Sequence, residues 1–346
     1  MMLMPKSSNR LFELVPKWTH VIMAVEVLWN SIPHAHSYPL NHTAFVTGAT
    51  GFLGRSLVSE LLARQHRVIG LARSRASLPQ EFLASQLFTF IEGDIAAPET
   101  YRSALRTADS VFHFAGTQTP SLSAEEPLVS VDPGIKSSLV FFLECETARV
   151  AQIAFPSTGG AIYGSHYIEP ATEAHSPSPE SPYAIEKLSL EHYLHFICHR
   201  SGIRERIYRI TNPYGIDQRG TRHHGVIAQF VKLALNNEPL VIYGDRKTSR
   251  DFIFVDDVSR VVVDLMDCDK AFDVLNVGSG ISTTLDELVH ILENILDRQL
   301  DVTYVDKRVG DTSTTQIDTR KLQGIIPHLE LTSLDDGLRK VIAHAR

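Results

Sequence analysis

Gly48, Gly51 and Gly54 punctuate the run Phe45-Val-Thr-Gly48-Ala-Thr50-Gly51-Phe52-Leu53-Gly54. Residues 43–47 are short and rich in β-formers, and residues 52–62 repeat apolar side chains at helical spacing, so the glycines stand where a strand turns into a helix. There the free N–H groups of a helix N-terminus can face a pyrophosphate, and absent side chains let the backbone approach it. A bare glycine pattern would fit an ordinary turn; its flanks make this one a dinucleotide cradle. A second group is Tyr183-Ala-Ile-Glu-Lys187, which follows Ser181-Pro182 into an apolar helical pattern. Side chains four apart share a helix face, so the Lys187 ammonium can stabilise a Tyr183 phenolate. Such a phenolate takes or returns a hydroxyl proton, the partner that hydride transfer to a nicotinamide needs. Just upstream, in Phe155-Pro-Ser157-Thr158-Gly-Gly-Ala-Ile-Tyr163-Gly164, Ser157 or Thr158 can hold the substrate oxygen as a carbonyl forms. Both hydroxyls could equally satisfy turn backbone.

The elements that must position these groups alternate. Strands are expected at 67–71, 87–91, 111–114 and 152–155, with helices at 52–62, 97–106 and 139–150. Later strands are expected at 204–210, 240–243, 274–277 and 302–305. Alternation implies an α/β fold, a Rossmann-type doubly wound parallel sheet with its ligand at the carboxyl ends of the strands. A smaller C-terminal substrate-binding part should be interleaved with it. The expected division is a poorly structured N-terminal extension over residues 1–40, a dinucleotide-binding domain over 41–210, and a mainly substrate-binding part over 211–346 with segments returning to the first domain.

With 346 residues, 43% of them hydrophobic, the chain can bury a large core. Its formal net charge of −7 and lack of any Lys/Arg run argue against nucleic acid as partner. Cys145, Cys198 and Cys268 are widely spaced and odd in number, which fits a reducing, cytoplasmic setting. The one apolar stretch before residue 40, residues 21–29, contains Glu26 and falls far short of the ~20 residues a membrane span needs. It is not read as a transmembrane helix; a poorly packed extension is the favoured reading, with a partner-docking or membrane-touching helix the alternative. No membrane partner is expected for the protein, and the Asn41-His42-Thr43 sequon is read as chance. His192, His195 and His199 share a helical face, but the outer two are ~10 Å apart along it, so no metal site is expected. His223-His224 is read as a loop pair.

The cradle, Glu92-Gly-Asp94-Ile95, His113-Phe-Ala115-Gly116, the Ser157-to-Gly164 segment and Tyr183-x-x-x-Lys187 together resemble the extended short-chain dehydrogenase/reductases. More narrowly, they resemble nucleotide-sugar epimerases of the UDP-glucose 4-epimerase type within the NAD-dependent epimerase/dehydratase family. Downstream, Arg209-Ile-Thr-Asn212-Pro-Tyr-Gly215, Ile242-Tyr-Gly-Asp245, Arg250-Asp-Phe-Ile-Phe-Val-Asp256-Asp257, Asn276-Val-Gly-Ser-Gly280 and Arg308-Val-Gly-Asp311 agree with it. The resemblance covers residue 43 to the C-terminus. It implies that Gly48, Thr50, Gly51, Phe52, Leu53 and Gly54 cradle the cofactor, that Asp94 and Ile95 flank its adenine, and that Ala115 and Gly116 line its cleft. It implies Tyr183 as catalytic base with Lys187 as helper, both also touching the cofactor. Asn212, Arg250, Arg308 and Asp311 would hold the nucleotide diphosphate of the substrate, and the protein would be a homodimer.

Two departures qualify this. Gly159 fills the slot where many relatives keep the catalytic hydroxyl, which moves that role to Thr158 or, second, Ser157. The second strand ends without the acid that would grip an adenosine 2′-OH, and Arg73 or Arg75 could accept a 2′-phosphate instead. NAD is the expected cofactor and NADP is possible. Gly159, Gly160 and Ala161 leave no acid for dehydratase chemistry. The expected activity is 4-epimerisation of a UDP-glucose or UDP-N-acetylhexosamine type sugar through a 4-keto intermediate. An NADPH-dependent 4-ketosugar reductase and a non-catalytic NAD(P)-binding regulatory protein are the alternatives.

Overall fold

Strand and helix alternate from Thr43: β1 (Thr43–Thr47), α1 (Phe52–Ala63), β2 (Arg67–Ala72), β3 (Phe88–Glu92), β4 (Ser110–His113), α2 (Ser137–Ala148), β5 (Gln152–Thr158), α3 (Pro182–Ser201) and β6 (Arg204–Ile210). There follow β7 (Asn212–Tyr214), α4 (Val226–Leu235), β8 (Leu240–Tyr243), β9 (Ser249–Phe254), α5 (Val255–Asp264), β10 (Val274–Val277), β11 (Ser282–Thr284), α6 (Leu285–Leu296), β12 (Val302–Val305) and α7 (Leu334–Ala345). This computed structural model describes residues 42–116, 120–165, 170–216, 218, 225–244, 246–266, 268, 270, 272–306 and 315–346. The expected N-terminal extension, His223-His224, Arg308 and Asp311 lie outside them.

Seven strands form one parallel sheet in the order β10-β6-β5-β4-β1-β2-β3. Strand order reverses between β1 and β4, so a crevice opens there at the carboxyl ends of the strands. Both faces are covered. Phe45, Phe141, Phe142, Phe155, Leu190 and Leu194 belong to one buried cluster that seats α2 and α3 on the sheet. The Ser181 side chain caps α3 by accepting from the Ala184 N–H, Pro182 fits its first turn, and Gly202 ends it at φ +72. Tyr183 therefore sits in the first turn of α3 with Lys187 one turn later.

A second cluster, including Tyr214, Phe230, Ile242, Phe252, Leu288 and Leu338, supports a three-stranded sheet (β11-β9-β7) and the β12-β8 pair. Two segments of this later chain return to the first part: β10 pairs with β6, and α5 packs on α1, where the Ser56 and Ser259 hydroxyls are 2.8 Å apart. Residues 40–346 form one compact unit. No described helix is long and apolar enough to cross a membrane.

Asp251 ties the two sheets together. Fully buried on β9, it accepts from the Ser279 N–H and Oγ (2.8 and 2.7 Å) and from the Gly280 N–H (2.9 Å), just after β10. Burial pushes its pKa up to about 6, against those donors. A folded-state pKa above the unfolded value stabilises fully below about pH 4, and that contribution is lost as pH rises through about 6. Denaturant unfolding of the wild type is expected to lose about 3 kcal/mol between pH 4 and 7 from this group. D251N, which cannot titrate there, should lack that component of the slope.

Several element boundaries differ from the sequence expectation. Residues 97–106 do not form one helix: a 3-10 turn (Pro98–Thr100) and a short helix (Arg102–Leu105) meet at Tyr101, whose buried ring and hydroxyl bond to the Ile95 carbonyl (2.8 Å) bend the chain. The helix expected at 139–150 starts at Ser137, out of a π-helical segment (Ser130–Lys136), and stops at Ala148 because Arg149 turns left-handed. β5 runs on to Thr158 through Pro156, which costs no ladder bond because pairing with β4 stops at Ala154. β7, β9 and β11 were not anticipated; their polar or Pro-containing sequences carry no alternating pattern, and pairing with one another defines them.

Candidate active site

The glycine cradle is enforced by backbone contact. Gly48 has φ +69, and a Cβ there would lie 2.6 Å from the Phe114 carbonyl. A Cβ on Gly54 would lie 2.1 Å from the Gly48 carbonyl oxygen. Gly51, the N-cap of α1, offers no side chain to the first helical N–H groups, which leaves them for a ligand. They open onto a cleft of about 380 Å³ whose walls include Thr50, Gly51, Arg73, Asp94, Ile95 and Ala115. Arg73 is exposed at the end of β2, and Ala72 and Ser74 beside it carry no charge. Asp94 keeps one oxygen on the Ala96 N–H (2.9 Å). Phe52 lies outside the cleft wall and Gly54 beneath it.

His113 organises the far wall. The Ala115 N–H donates to Thr47 Oγ1 (3.0 Å), Thr47 Oγ1 lies 3.0 Å from His113 Nδ1, and His113 Nε2 lies 3.0 Å from Ser138 Oγ. Burial, reinforced by Lys187, holds the imidazole pKa down at about 3, so the ring is neutral. The neutral ring donates through one nitrogen and accepts through the other, so the Thr47 and Ser138 hydroxyls take complementary roles across it. Ser138 also lines the cleft. Neither role was visible in the His113-Phe-Ala-Gly motif, because Ser138 arrives from another element.

Beyond this wall the cleft joins a smaller cavity of about 150 Å³, lined by Leu53, Gly116, Ser157, Tyr183, Lys187 and Thr211 among others. Lys187 Nζ donates to the Pro156 carbonyl (3.0 Å) and lies 4.8 Å from the Phe155 ring and 5.9 Å from the Tyr183 ring. Burial lowers the Lys187 pKa, opposed by Glu186 and Glu191. The phenol is shifted the other way from the sequence expectation. Burial, with the Glu186 carboxylate adding to it, pushes Tyr183 up to about 12, and only its hydrogen bond with Thr158 pulls it down. Lys187 is not among the groups that offset this rise.

Thr158 and Ser157 divide the work that was expected of one residue. Thr158 contacts the phenol, whereas Ser157 is among the residues that line the cavity and its buried Oγ has no protein partner. Gly159 leaves no alternative, since a Cβ there would lie 2.6 Å from the Arg209 carbonyl oxygen. T158A and S157A are each expected to lower kcat by about 10²-fold. T158A alone should move the rise of the pH–rate profile to higher pH, because it removes the bond that lowers the Tyr183 pKa.

Asn212 and Arg250 lie on the adjacent strands β7 and β9. The Asn212 amide donates to the Asp251 carbonyl (3.0 Å) and to Thr315 Oγ1 (3.2 Å), and Arg250 donates to the Ser249 carbonyl (2.8 Å). Arg246 stacks on Tyr304 (4.7 Å) and pairs with Asp286 (3.3 Å), joining the β8 turn to β12 and α6. His195 pairs with Glu205 at 2.5 Å and stacks on His199. Among the described residues no group of three or more His, Cys, Asp or Glu is arranged to hold a metal ion. Glu186, absent from the sequence-based site, is 4% exposed and lines both cavities.

A sequence model of the NAD dependent epimerase/dehydratase family matches residues 44–278. The chain is 27% identical to a dTDP-4-dehydro-6-deoxyglucose reductase of Escherichia coli over 87% of its own length and 96% of the relative's. Its fold is similar to the UDP-glucose 4-epimerase of Thermotoga maritima solved with UDP-glucose, at a TM-score of 0.81 and 30% identity, covering 88% of this chain and 98% of that one. It is also similar to the Thermus thermophilus UDP-glucose 4-epimerase solved in complex with NAD, at 0.80 and 27%, covering 87% and 98%.

Proposed function

Since the chain belongs to the NAD dependent epimerase/dehydratase family, we propose that it is a nucleotide-sugar 4-epimerase of the UDP-glucose or UDP-N-acetylhexosamine type that keeps NAD bound. The observation that carries this reading is the convergence of Tyr183, Lys187, Ser157 and Thr158 where the glycine-cradled cleft meets the second cavity. The cradle suits the group: helix N–H groups for a diphosphate, room that a Cβ would fill, and the Ser138 hydroxyl in the wall. Bound NAD would supply a hydride acceptor and donor for C4 of the sugar, so that inversion proceeds with no net redox change.

Tyr183 takes the proton of the 4-hydroxyl and later returns it. For that the phenol must fall from about 12; Lys187 lies on the side of the ring where its charge acts in that direction, and a bound cationic ring would add to it. The Ser157 hydroxyl, without a protein partner, holds the sugar oxygen while Thr158 orients the phenol. Asn212, Arg250, Arg308 and Asp311 are assigned to the substrate's diphosphate side. Gly159, Gly160 and Ala161 place no acid beside C5 or C6, which speaks against dehydration.

A homodimer is part of the reading, supported by apolar side chains that α2 and α3 turn outward: Leu143 (42% exposed), Ile185 (51%) and Phe196 (60%). Three free cysteines fit a cytoplasmic setting. One observation favours a second reading, an NADPH-dependent 4-ketosugar reductase: Arg73 lines the cleft where an acid would select NAD. Native mass spectrometry of the purified protein, followed by sugar nucleotides without added cofactor, tests the choice. Retained NAD and interconversion of 4-epimers support the epimerase; an empty site with NADPH oxidised in step with a 4-ketosugar nucleotide overturns it.

A further inference from the structure

Glu186 stands between the catalytic pair in sequence, yet it belongs to neither role. Its side chain is buried, with 4% exposure, and points away from solvent against the π-helical segment that precedes α2. The carboxylate fills the place a side chain at Gly134 would take: a Cβ there would lie 2.7 to 2.9 Å from its three terminal atoms. Oε2 has no well-formed hydrogen bond, although the buried Ser130 hydroxyl lies beside the carboxylate; burial raises the pKa of the group, and Lys187 and Ser130 oppose that rise. A buried carboxylate short of donors is costly, and positive charge near it offsets that cost.

Its position says which part of a ligand would bring that charge. Phe114, Gly116, Glu186 and Lys187 line both the large cleft and the smaller cavity, so they form the passage between the glycine cradle and Tyr183. A dinucleotide with its diphosphate at Gly48–Gly51 and its reactive ring beside Tyr183 must thread this passage with its second ribose and ring. Glu186 is the one anion in that shared wall among the described residues, facing the Lys187 cation, while His113 behind Lys187 is neutral.

We infer that Glu186 is a cofactor-binding residue that favours the oxidised, cationic nicotinamide over the reduced, neutral one. The inference rests on the reading that a nicotinamide dinucleotide occupies the cleft. It gives the site a reason to keep its cofactor oxidised between turnovers, which an epimerase needs and a reductase does not. It also explains why a carboxylate that opposes ionisation of Tyr183 is kept one residue from Lys187: a cationic ring bound beside it would offset that opposition.

The test uses the full chain freed of bound cofactor, titrated separately with NAD⁺ by calorimetry and with NADH by nicotinamide fluorescence. Wild type should bind NAD⁺ the more tightly relative to NADH. E186Q, and E186A as a second charge-free variant, should lower that affinity ratio by roughly tenfold at the effective dielectric of such a site. For a two-electron couple this is a rise of about 30 mV in the bound potential. E186D, which keeps the charge, should stay near wild type. Equal weakening of both forms by the neutral variants, or no change in the ratio, overturns the inference while leaving the cofactor reading intact. Failure of the wild type to bind either form overturns both.

Discussion

Tyr183→Phe is expected to lower kcat for every accepted sugar nucleotide by about 10³-fold, within the range that removal of a positioned acid or base produces. The ring packs as before, so the folded state and the cofactor content should be unchanged. The loss falls on kcat and leaves KM within a few fold, because the hydroxyl acts on the proton in flight and contributes little to binding. Steady-state kinetics beside absorbance of the retained cofactor checks this. Equal activity of the variant would remove the phenol from the chemistry.

Gly54→Ala carries the second large effect. Its new methyl would start 2.1 Å from the Gly48 carbonyl oxygen, and neither partner is a flexible side chain that can swing aside. The cradle can accept the methyl only by opening, at a cost on the order of 3 kcal/mol. Opening displaces Gly48, whose N–H is anchored to the Leu71 carbonyl at 2.9 Å and whose positive φ sets the turn. Thermal unfolding with and without added NAD should therefore show a lower Tm and little stabilisation by the cofactor. A variant with wild-type Tm and full cofactor retention would contradict the account of the cradle.

Local spacing made the cradle and the Tyr183–Lys187 pair legible, since three glycines at a strand-to-helix turn and two side chains four apart on a helix need no distant information. The parallel sheet followed from alternation, and its seven strands include β10, reached after a long detour. What sequence could not settle depends on contacts between distant segments. Ser157 and Thr158 differ in role because the fold brings the Tyr183 phenol to one hydroxyl and no protein partner to the other. The sign of the Tyr183 shift is a sum of burial and Glu186 against the Thr158 bond, and no spacing rule weighs them. Glu186 itself is buried only because Gly134, on a separate element, has no side chain. β9 escaped notice because its polar Ser249, Arg250 and Asp251 are paired, and the first and last of them buried, by strands that form nowhere near it in sequence.

A sugar nucleotide carrying deuterium at C4 of the hexose tests the central proposal most directly. Incubated with the purified protein and no added cofactor, it should emerge as the 4-epimer with deuterium still at C4, as read by NMR, because the hydride that leaves one face returns to the other within the same site. Inversion with loss of the label to solvent, or no inversion of any 4-epimeric pair, would contradict it.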